Sequence, residues 1–305
     1  MRFSVVIPTF NRKDILRQCL KSLQAQDYPD FEVLVVDGGN DGTDEMLARE
    51  FPGFRYLRET RSGPSVARNL GIQHATGDIV AFTDDDNIVP PNWLARFADG
   101  YQRHPEVSGV AGRCEPPEHV WRKNVLARQE LWGTWYTYGL TPDRAEFLGG
   151  ELEVPGATNN VSYRRSVLLQ VGGFSTTFAR HIAGEERELR ERICAQGYTR
   201  FLYVPVKVLH RRSYTWKGFF TQSLETALGV RRHLQRRARN AAPPDPTDRV
   251  NRGKIPGLRQ AIASRDLKLA SVLLCERIVY AVGRILPEQS TLGLITFISK
   301  LGSPK

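Results

Sequence analysis

An α/β fold on a mostly parallel central sheet flanked by helices is what this sequence predicts, and three observations predict it. Apolar runs of strand length recur through the N-terminal part, segments of helical period lie between them, and turn-forming residues stand at the junctions. Ser4 to Ile7, Phe31 to Val36 and Asp78 to Thr83 read as buried strands, with Phe54 to Leu57 a weaker one. Ile15, Leu16, Cys19, Leu20 and Leu23 share one helical face. Val66, Ala67, Leu70 and Gly71 do the same after Gly63-Pro64, where Pro64 suits a first helical position. Further on, Val107 to Arg113, Asn160 to Tyr163 and Tyr203 to Leu209 read as strands. Arg164 to Val171 reads as a short helix broken by Gly172-Gly173-Phe174, and Glu185 to Gln196 as a helix ended by Gly197. Trp121, Trp132, Trp135, Tyr136 and Tyr138 form an aromatic stretch suited to stacking on a ligand or to core packing.

The last eighty or so residues differ in character. Arg231, Arg232, Arg236, Arg237 and Arg239 crowd together, and Ala242-Pro243-Pro244-Asp245-Pro246 breaks any helix. Leu267 to Leu286 has helical spacing, with Leu269, Val272, Leu273, Val279 and Tyr280 on an apolar face that Glu276 interrupts. The division this suggests is a main α/β domain over 1–225 and a helical C-terminal extension over 226–305. Two readings of the extension stand: an appendage lying peripherally on the anionic inner membrane face, or a helix packed on the main domain.

Composition narrows the function. With 305 residues, 41% apolar and 25% charged, the chain suits a soluble globular protein with a large core. Its net charge of +10 favours polyanionic partners such as nucleotides and anionic lipid. Nucleic acid is set aside, because no nucleic-acid-binding motif occurs. Cys19, Cys114, Cys194 and Cys275 are scattered, which fits buried free thiols in a reducing cytosol better than a zinc site or disulfide framework. No signal peptide and no run long enough to span a membrane is visible, so a cytoplasmic location is expected.

Ligands of parallel α/β sheets gather where strands end. Asp84-Asp85-Asp86 directly follows the apolar Ile79 to Phe82. Three adjacent carboxylates repel one another unless a cation offsets them, and Mg²⁺ or Mn²⁺ with a phosphate-bearing substrate is the natural partner. A solvated acidic turn ahead of a helix is the plainer alternative. Pro8-Thr9-Phe10-Asn11-Arg12 follows the first strand, and Asp37-Gly38-Gly39-Asn40-Asp41-Gly42-Thr43 follows the second, with Thr43 placed as a helix cap. Neither a dinucleotide-binding glycine fingerprint nor a P-loop occurs.

Five motifs in order resemble the family 2 glycosyltransferases of GT-A fold, over Phe3 to about Arg212. They are Val5 to Arg12; Val35-Val36-Asp37 with Asp41-Gly42-Thr43; Gly63 with Ala67-Arg68-Asn69 and Gly71; Gly77-Asp78 leading to the acidic triplet; and Gly172-Gly173-Phe174 ahead of Gly184-Glu185-Glu186. The resemblance implies that Pro8, Thr9, Phe10 and Arg12 line a nucleoside pocket, with Asp37 and Gly38 near the base. It implies that Arg68 organises the nucleotide site, that Asp85 lies near the ribose, and that Asp86 leads the metal ligands with Asp84 and His210. Glu186, with Glu185 as its substitute, matches the general base that takes the acceptor's proton.

Two departures are visible. Gly38 stands where many members carry a second Asp, which leaves the base identity open, and the acid pair is Glu-Glu rather than Glu-Asp. The expected activity is inverting, metal-dependent sugar transfer from a nucleoside diphosphate sugar, UDP first and GDP or dTDP next, to a glycan or lipid-linked acceptor. A nucleotidyltransferase on a similar sheet and a non-catalytic nucleotide-sugar-binding scaffold are the rivals.

Overall fold

The computed structural model describes residues 1–60, 63–115, 146–148, 158–176 and 184–211. Toward the C-terminus it describes 221, 224–225, 227–229, 231–232, 235, 275, 278–283 and 285–300. The chain forms two compact units, one of Met1–Pro117, Thr134–Thr176 and Glu185–Arg211, the other of Glu118–Gly133, Thr177–Gly184 and Arg212–Lys305.

The described elements of the first unit begin with β1 (Phe3–Thr9), α1 (Lys13–Gln24), β2 (Phe31–Asp37), α2 (Thr43–Glu50) and β3 (Arg55–Arg58). Next come α3 (Pro64–His74), β4 (Ile79–Phe82), β5 (Asn87–Ile88), α4 (Trp93–Arg103) and β6 (Gly109–Glu115). The unit ends with β7 (Glu146–Leu148), β8 (Val161–Arg164), α5 (Arg165–Gln170), α6 (Glu185–Ala195) and β9 (Phe201–His210). The nine strands form one sheet of order β3-β2-β1-β4-β8-β6-β9-β5, with β7 also on β9. The ladders joining β3, β2, β1 and β4 are parallel. Beyond them β8 runs antiparallel between β4 and β6, β6 and β9 are parallel, and β5 and β7 are antiparallel to β9. The sheet is therefore mixed, its parallel run lying in the N-terminal half.

Strand side chains alternate between the two faces and both faces are covered, which is why the strands read as continuous apolar runs. Phe3, Val5, Ile7, Val33, Val35, Ile79 and Ala81 pack with α1, α2 and α4 through Leu16, Leu20, Met46, Trp93 and Phe97. Val6, Leu34, Val36, Val80 and Phe82 pack on the other face with α3, α5 and α6 through Ala67, Ile72, Leu168, Leu189 and Ile193. A Cβ at Gly71 would lie 2.3 Å from Val6 Cγ1, so α3 rests on β1 at a distance that only glycine permits.

Two local expectations change. Thr43 is the first residue of α2 rather than its cap; Gly42, at φ 80, holds the cap position, and the Thr43 hydroxyl donates to Asp41 Oδ1. Asp41 instead serves α1, accepting the Lys13 amide at 2.8 Å and so satisfying one of that helix's unpaired donors from another loop. None of the four cysteines is in a disulfide; Cys19, Cys114 and Cys194 are buried, whereas Cys275 is exposed.

In the second unit α7 spans Glu288–Lys300, and Leu224, Leu228 and Ile295 form a small apolar cluster. Arg232 pairs with Glu288, and Arg231 donates to the Leu286 carbonyl. Among the described residues no helix is long and apolar enough to cross a membrane. The aromatic stretch from Trp121 to Tyr138, Arg236, Arg237, Arg239 and most of 267–277 lie outside the described residues.

Candidate active site

The ends of β1, β2 and β4 lie side by side because the β1–β2 register pairs Thr9 with Asp37 and the β1–β4 register pairs Val6 with Phe82. After β4 the chain turns through the acidic triplet, closed by the Asn87 amide donating to the Asp84 carbonyl at 3.2 Å. The Asn87 side chain fixes the turn by donating to Thr83 Oγ1 and to the Asn159 carbonyl, each at 2.9 Å. Then β5 pairs with the end of β9, setting Asn87 opposite His210, while the Arg211 amide donates to the Asp86 carbonyl at 2.8 Å. This two-residue ladder brings His210 to the triplet from more than a hundred residues away.

Each acid of the triplet faces different partners. Asp85, 4% exposed, accepts from Arg12 Nη1 at 2.7 Å and from Thr9 Oγ1 at 2.9 Å. Burial pushes its carboxyl up to about 7, against the pull of Arg12 and with added repulsion from Asp86. Asp86, 5% exposed, accepts from Arg12 Nη2 at 2.8 Å through Oδ2, while its Oδ1 lies 3.2 Å from His210 Nε2. Burial would raise Asp86 too, but the His210 imidazole and the Arg12 guanidinium overcome it and hold the carboxyl below its ordinary range. Asp84, partly exposed, meets Arg68 Nη2 at 3.3 Å.

Among the described residues, Asp84, Asp86 and His210 offer ligand atoms that all lie within 4.8 Å of one another. His210 Nδ1 is enclosed with no hydrogen bond, and Asp86 Oδ1 is enclosed facing His210 Nε2. Two carboxylates and an imidazole, with a carboxylate oxygen enclosed and aimed into the cluster, fit Mn²⁺ or Mg²⁺.

Arg68 links this cluster to α6. Its guanidinium, fully inside the fold, reaches Glu185 Oε1 at 3.1 Å and Asp84 on its other nitrogen. It also lies 5.5 Å from the centroid of the Phe174 ring. Phe174 is clamped by Asn69, whose Nδ2 donates to the Phe174 carbonyl at 2.8 Å and whose Oδ1 accepts the Phe174 amide at 2.7 Å. Two motifs more than a hundred positions apart thus dock on one another and set Arg68 between Asp84 and Glu185. Glu186 stands next to Glu185, half-buried, and its carboxyl is pushed up to about 8 by burial and by the Glu185 charge.

Pro8 and Phe10 flank Thr9 at the end of β1, and the Phe10 ring is 45% exposed. Gly38 donates its amide to the Thr9 carbonyl at 3.0 Å, and a Cβ there would sit 3.2 Å from the Phe10 ring. Asp37 stands apart from the acid cluster. It is 1% exposed, and its oxygens accept the Gly39 amide at 2.7 Å and the Tyr56 hydroxyl at 3.1 Å, with Arg58 Nη1 at 3.5 Å. Tyr56 and Arg58, on β3, are absent from the sequence-based set. Their alternate placement on a short strand running toward Asp37 was the available signal.

Against known proteins, a model of Glycosyl transferase family 2 matches residues 4–172, more than half of the chain. A glucosyl-dolichyl phosphate glucuronosyltransferase of Haloferax volcanii is 28% identical over 215 residues, 67% of this chain and 66% of that protein. The chain therefore spans slightly under two thirds of that relative's length. Among solved structures, the mannosyltransferase PcManGT of Pyrobaculum calidifontis, in complex with GDP-Man and Mn²⁺, aligns at a TM-score of 0.58 and 20% identity over 99% of this chain and 81% of that one. Residues 1–349 of TarS from S. aureus, in complex with UDP, align at a TM-score of 0.55 and 17% identity over 93% and 89%. These likenesses establish the GT-A fold. With the family's motifs converging where the parallel strands end, and with the family model spanning β1 to the turn after α5, the chain belongs to Glycosyl transferase family 2.

Proposed function

We propose that the protein is an inverting glycosyltransferase that takes a sugar from a nucleoside diphosphate sugar and passes it to a hydroxyl of a glycan or lipid-linked acceptor. The observation that carries the reading is the Arg68 bridge. It ties Asp84, beside Asp86 and His210, to Glu185, next to Glu186. One side of the bridge suits a diphosphate with its cation, the other suits a hydroxyl that must lose a proton. Donors of both pyrimidine and purine type are in view, since PcManGT is solved with GDP-Man and TarS with UDP. A lipid-linked acceptor is suggested by the name of the Haloferax relative.

In this mechanism the Phe10 face and the Gly38 backbone receive the nucleobase beside Thr9, while Asp37, held by Tyr56 and Arg58, braces that wall. Asp84, Asp86 and His210 would hold Mn²⁺ or Mg²⁺, which when bound would offset the charge growing on the departing diphosphate. Glu186 accepts the proton of the acceptor hydroxyl as it attacks the anomeric carbon from the face opposite the diphosphate. Arg68 keeps α6 registered against the acidic turn, so that the base and the leaving group act across one sugar. Exposed Ile278, Ile285 and Phe297 of the second unit support a peripheral contact with an anionic membrane, which would suit a lipid-linked acceptor.

The test is a panel of UDP-, GDP- and dTDP-sugars with Mn²⁺, read first by thermal shift and then by product. A ligand that binds the native state raises the melting temperature. Release of nucleoside diphosphate with an inverted anomeric bond supports the reading. Release of pyrophosphate would move the protein to the nucleotidyltransferases, and donor binding without turnover on any acceptor would make it a scaffold.

A further inference from the structure

Asp86 serves two cationic directions at once. Its Oδ1 faces the cluster it forms with Asp84 and His210, and its Oδ2 accepts from Arg12 Nη2 at 2.8 Å. A divalent cation at the cluster and the guanidinium therefore draw on one carboxylate, and the two positive groups repel across it. Arginine stays charged at any working pH, so the competition is not relieved by loss of a proton.

The surroundings of Arg12 make the contact with Asp86 the one that gives way. Nη1 is anchored on Asp85 at 2.7 Å, and Asp85 is itself held by Thr9 at 2.9 Å. The Arg12 side chain is 38% exposed, so swinging Nη2 off Asp86 disturbs no packed core. The start of α1 does not depend on the Arg12 side chain, because the Lys13 amide is satisfied by Asp41. A nucleoside diphosphate brings the negative charge that a guanidinium released from Asp86 would seek, and planar guanidinium groups pair well with phosphate oxygens.

We propose that Arg12 is the residue through which the divalent cation and the nucleoside diphosphate sense one another: it competes with the cation for Asp86 and gives Asp86 up when a diphosphate arrives. The inference rests on reading Asp84, Asp86 and His210 as a cation site. Diphosphate then strengthens cation binding by more than its own direct ligation would, and the coupling is reciprocal. Order follows from this, with cation and nucleotide entering as a pair rather than the cation settling alone.

The experiment measures Mn²⁺ affinity from the electron paramagnetic resonance signal of free Mn²⁺, first with MnCl₂ alone and then with UDP or GDP added. The proteins are the full chain and its Arg12→Gln, Arg12→Met and Asp86→Ala variants, each checked for a cooperative thermal melt. The proposal expects Arg12→Gln to bind Mn²⁺ alone roughly fivefold tighter than the parent, since a repelling charge is gone. It also expects the gain in Mn²⁺ affinity on adding nucleotide to shrink in that variant. Arg12→Met is a second neutral variant, so a folding failure of one leaves the other to decide. Equal or weaker Mn²⁺ binding by a folded neutral variant, or an unchanged nucleotide gain, overturns the role of Arg12. Unaltered Mn²⁺ binding by Asp86→Ala instead overturns the cation site itself, and the proposal with it.

Discussion

Glu185 and Glu186 are neighbours in sequence but meet different surroundings. Glu185 is buried and held by Arg68 at 3.1 Å, so its charge is already engaged. Glu186 is half-buried, and its carboxyl is pushed up to about 8, mainly by burial and next by Glu185. A general base works only when ionised, and burial beside Glu185 raises the Glu186 carboxyl above the usual carboxylate range, so kcat/KM should fall on the acidic side at a higher pH than an ordinary carboxylate would set. Glu186→Gln should keep the donor KM, lose kcat by ~10²-fold or more, and abolish that acidic limb. If Glu185→Gln is the dead variant while Glu186→Gln turns over normally, the base has been assigned one position too late. At the neighbouring cluster, Asp86→Ala should end Mn²⁺-dependent nucleotide binding, followed by calorimetry, while leaving the melt cooperative. Full turnover in that variant, or in the parent with excess EDTA, would remove the cation from the mechanism.

The elements are held in register by polar links as much as by the core. Glu32 on β2, 9% exposed, accepts the Ser4 hydroxyl of β1 at 2.6 Å, the Thr76 amide and hydroxyl after α3, and Arg55 of β3. Burial alone would raise this carboxyl, but those donors pull it down to about 2. An acid whose pKa is lowered by folding stabilises the fold fully above its ordinary value and loses that contribution as the pH falls toward the folded value. Denaturant melts should therefore show stability declining from about pH 4.5 toward pH 2, and Glu32→Gln should cost ~1–3 kcal/mol at neutral pH and flatten that decline. A variant as stable as the parent across the range would mean the link is idle. The Asn69 clamp on Phe174 is a second link of this kind. Asn69→Ala should lower kcat more than donor KM, because it frees Arg68 and α6 rather than the pocket at β1. These links also mark what the sequence does and does not disclose. β1, β2 and β4 are legible because both their faces are buried, and α1 because its apolar positions follow one face. β5 and β7 are not, since two or three residues become strands only through pairing with β9. Tyr56, Arg58 and the Asp41 cap are partners chosen by register, which no local pattern encodes.

At the scale of the molecule, net charge does not say which basic side chains are already paired. A net charge of +10 suggests a basic surface, yet Arg231 is spent on the Leu286 carbonyl and Arg232 on Glu288, within the second unit. The acidic triplet was legible as a candidate site because a strand end is where a parallel sheet binds ligands. A run of arginines carries no such positional meaning. Among the described residues, the second unit does expose large apolar side chains: Ile285 is 79%, Phe297 62% and Ile278 56% accessible. If the protein rests on an anionic membrane, these side chains supply the grip and long-range charge only the attraction. Burying one large apolar side chain is worth about 1.5–3 kcal/mol when complete, and a shallow contact gains a part of that. Ile285→Ser combined with Phe297→Ser should therefore lower co-sedimentation with anionic vesicles about tenfold at low salt. Arg232→Gln should change it little, because that arginine is already paired with Glu288. High salt should weaken binding of the parent without abolishing it, since screening removes the electrostatic part alone. Activity on a soluble acceptor analogue should be unaltered in the double variant, as the acids, Arg12, Arg68 and His210 all belong to the first unit. A parent that ignores anionic vesicles at low salt, or a double variant that sediments like the parent, would leave these side chains with some other role than holding a membrane.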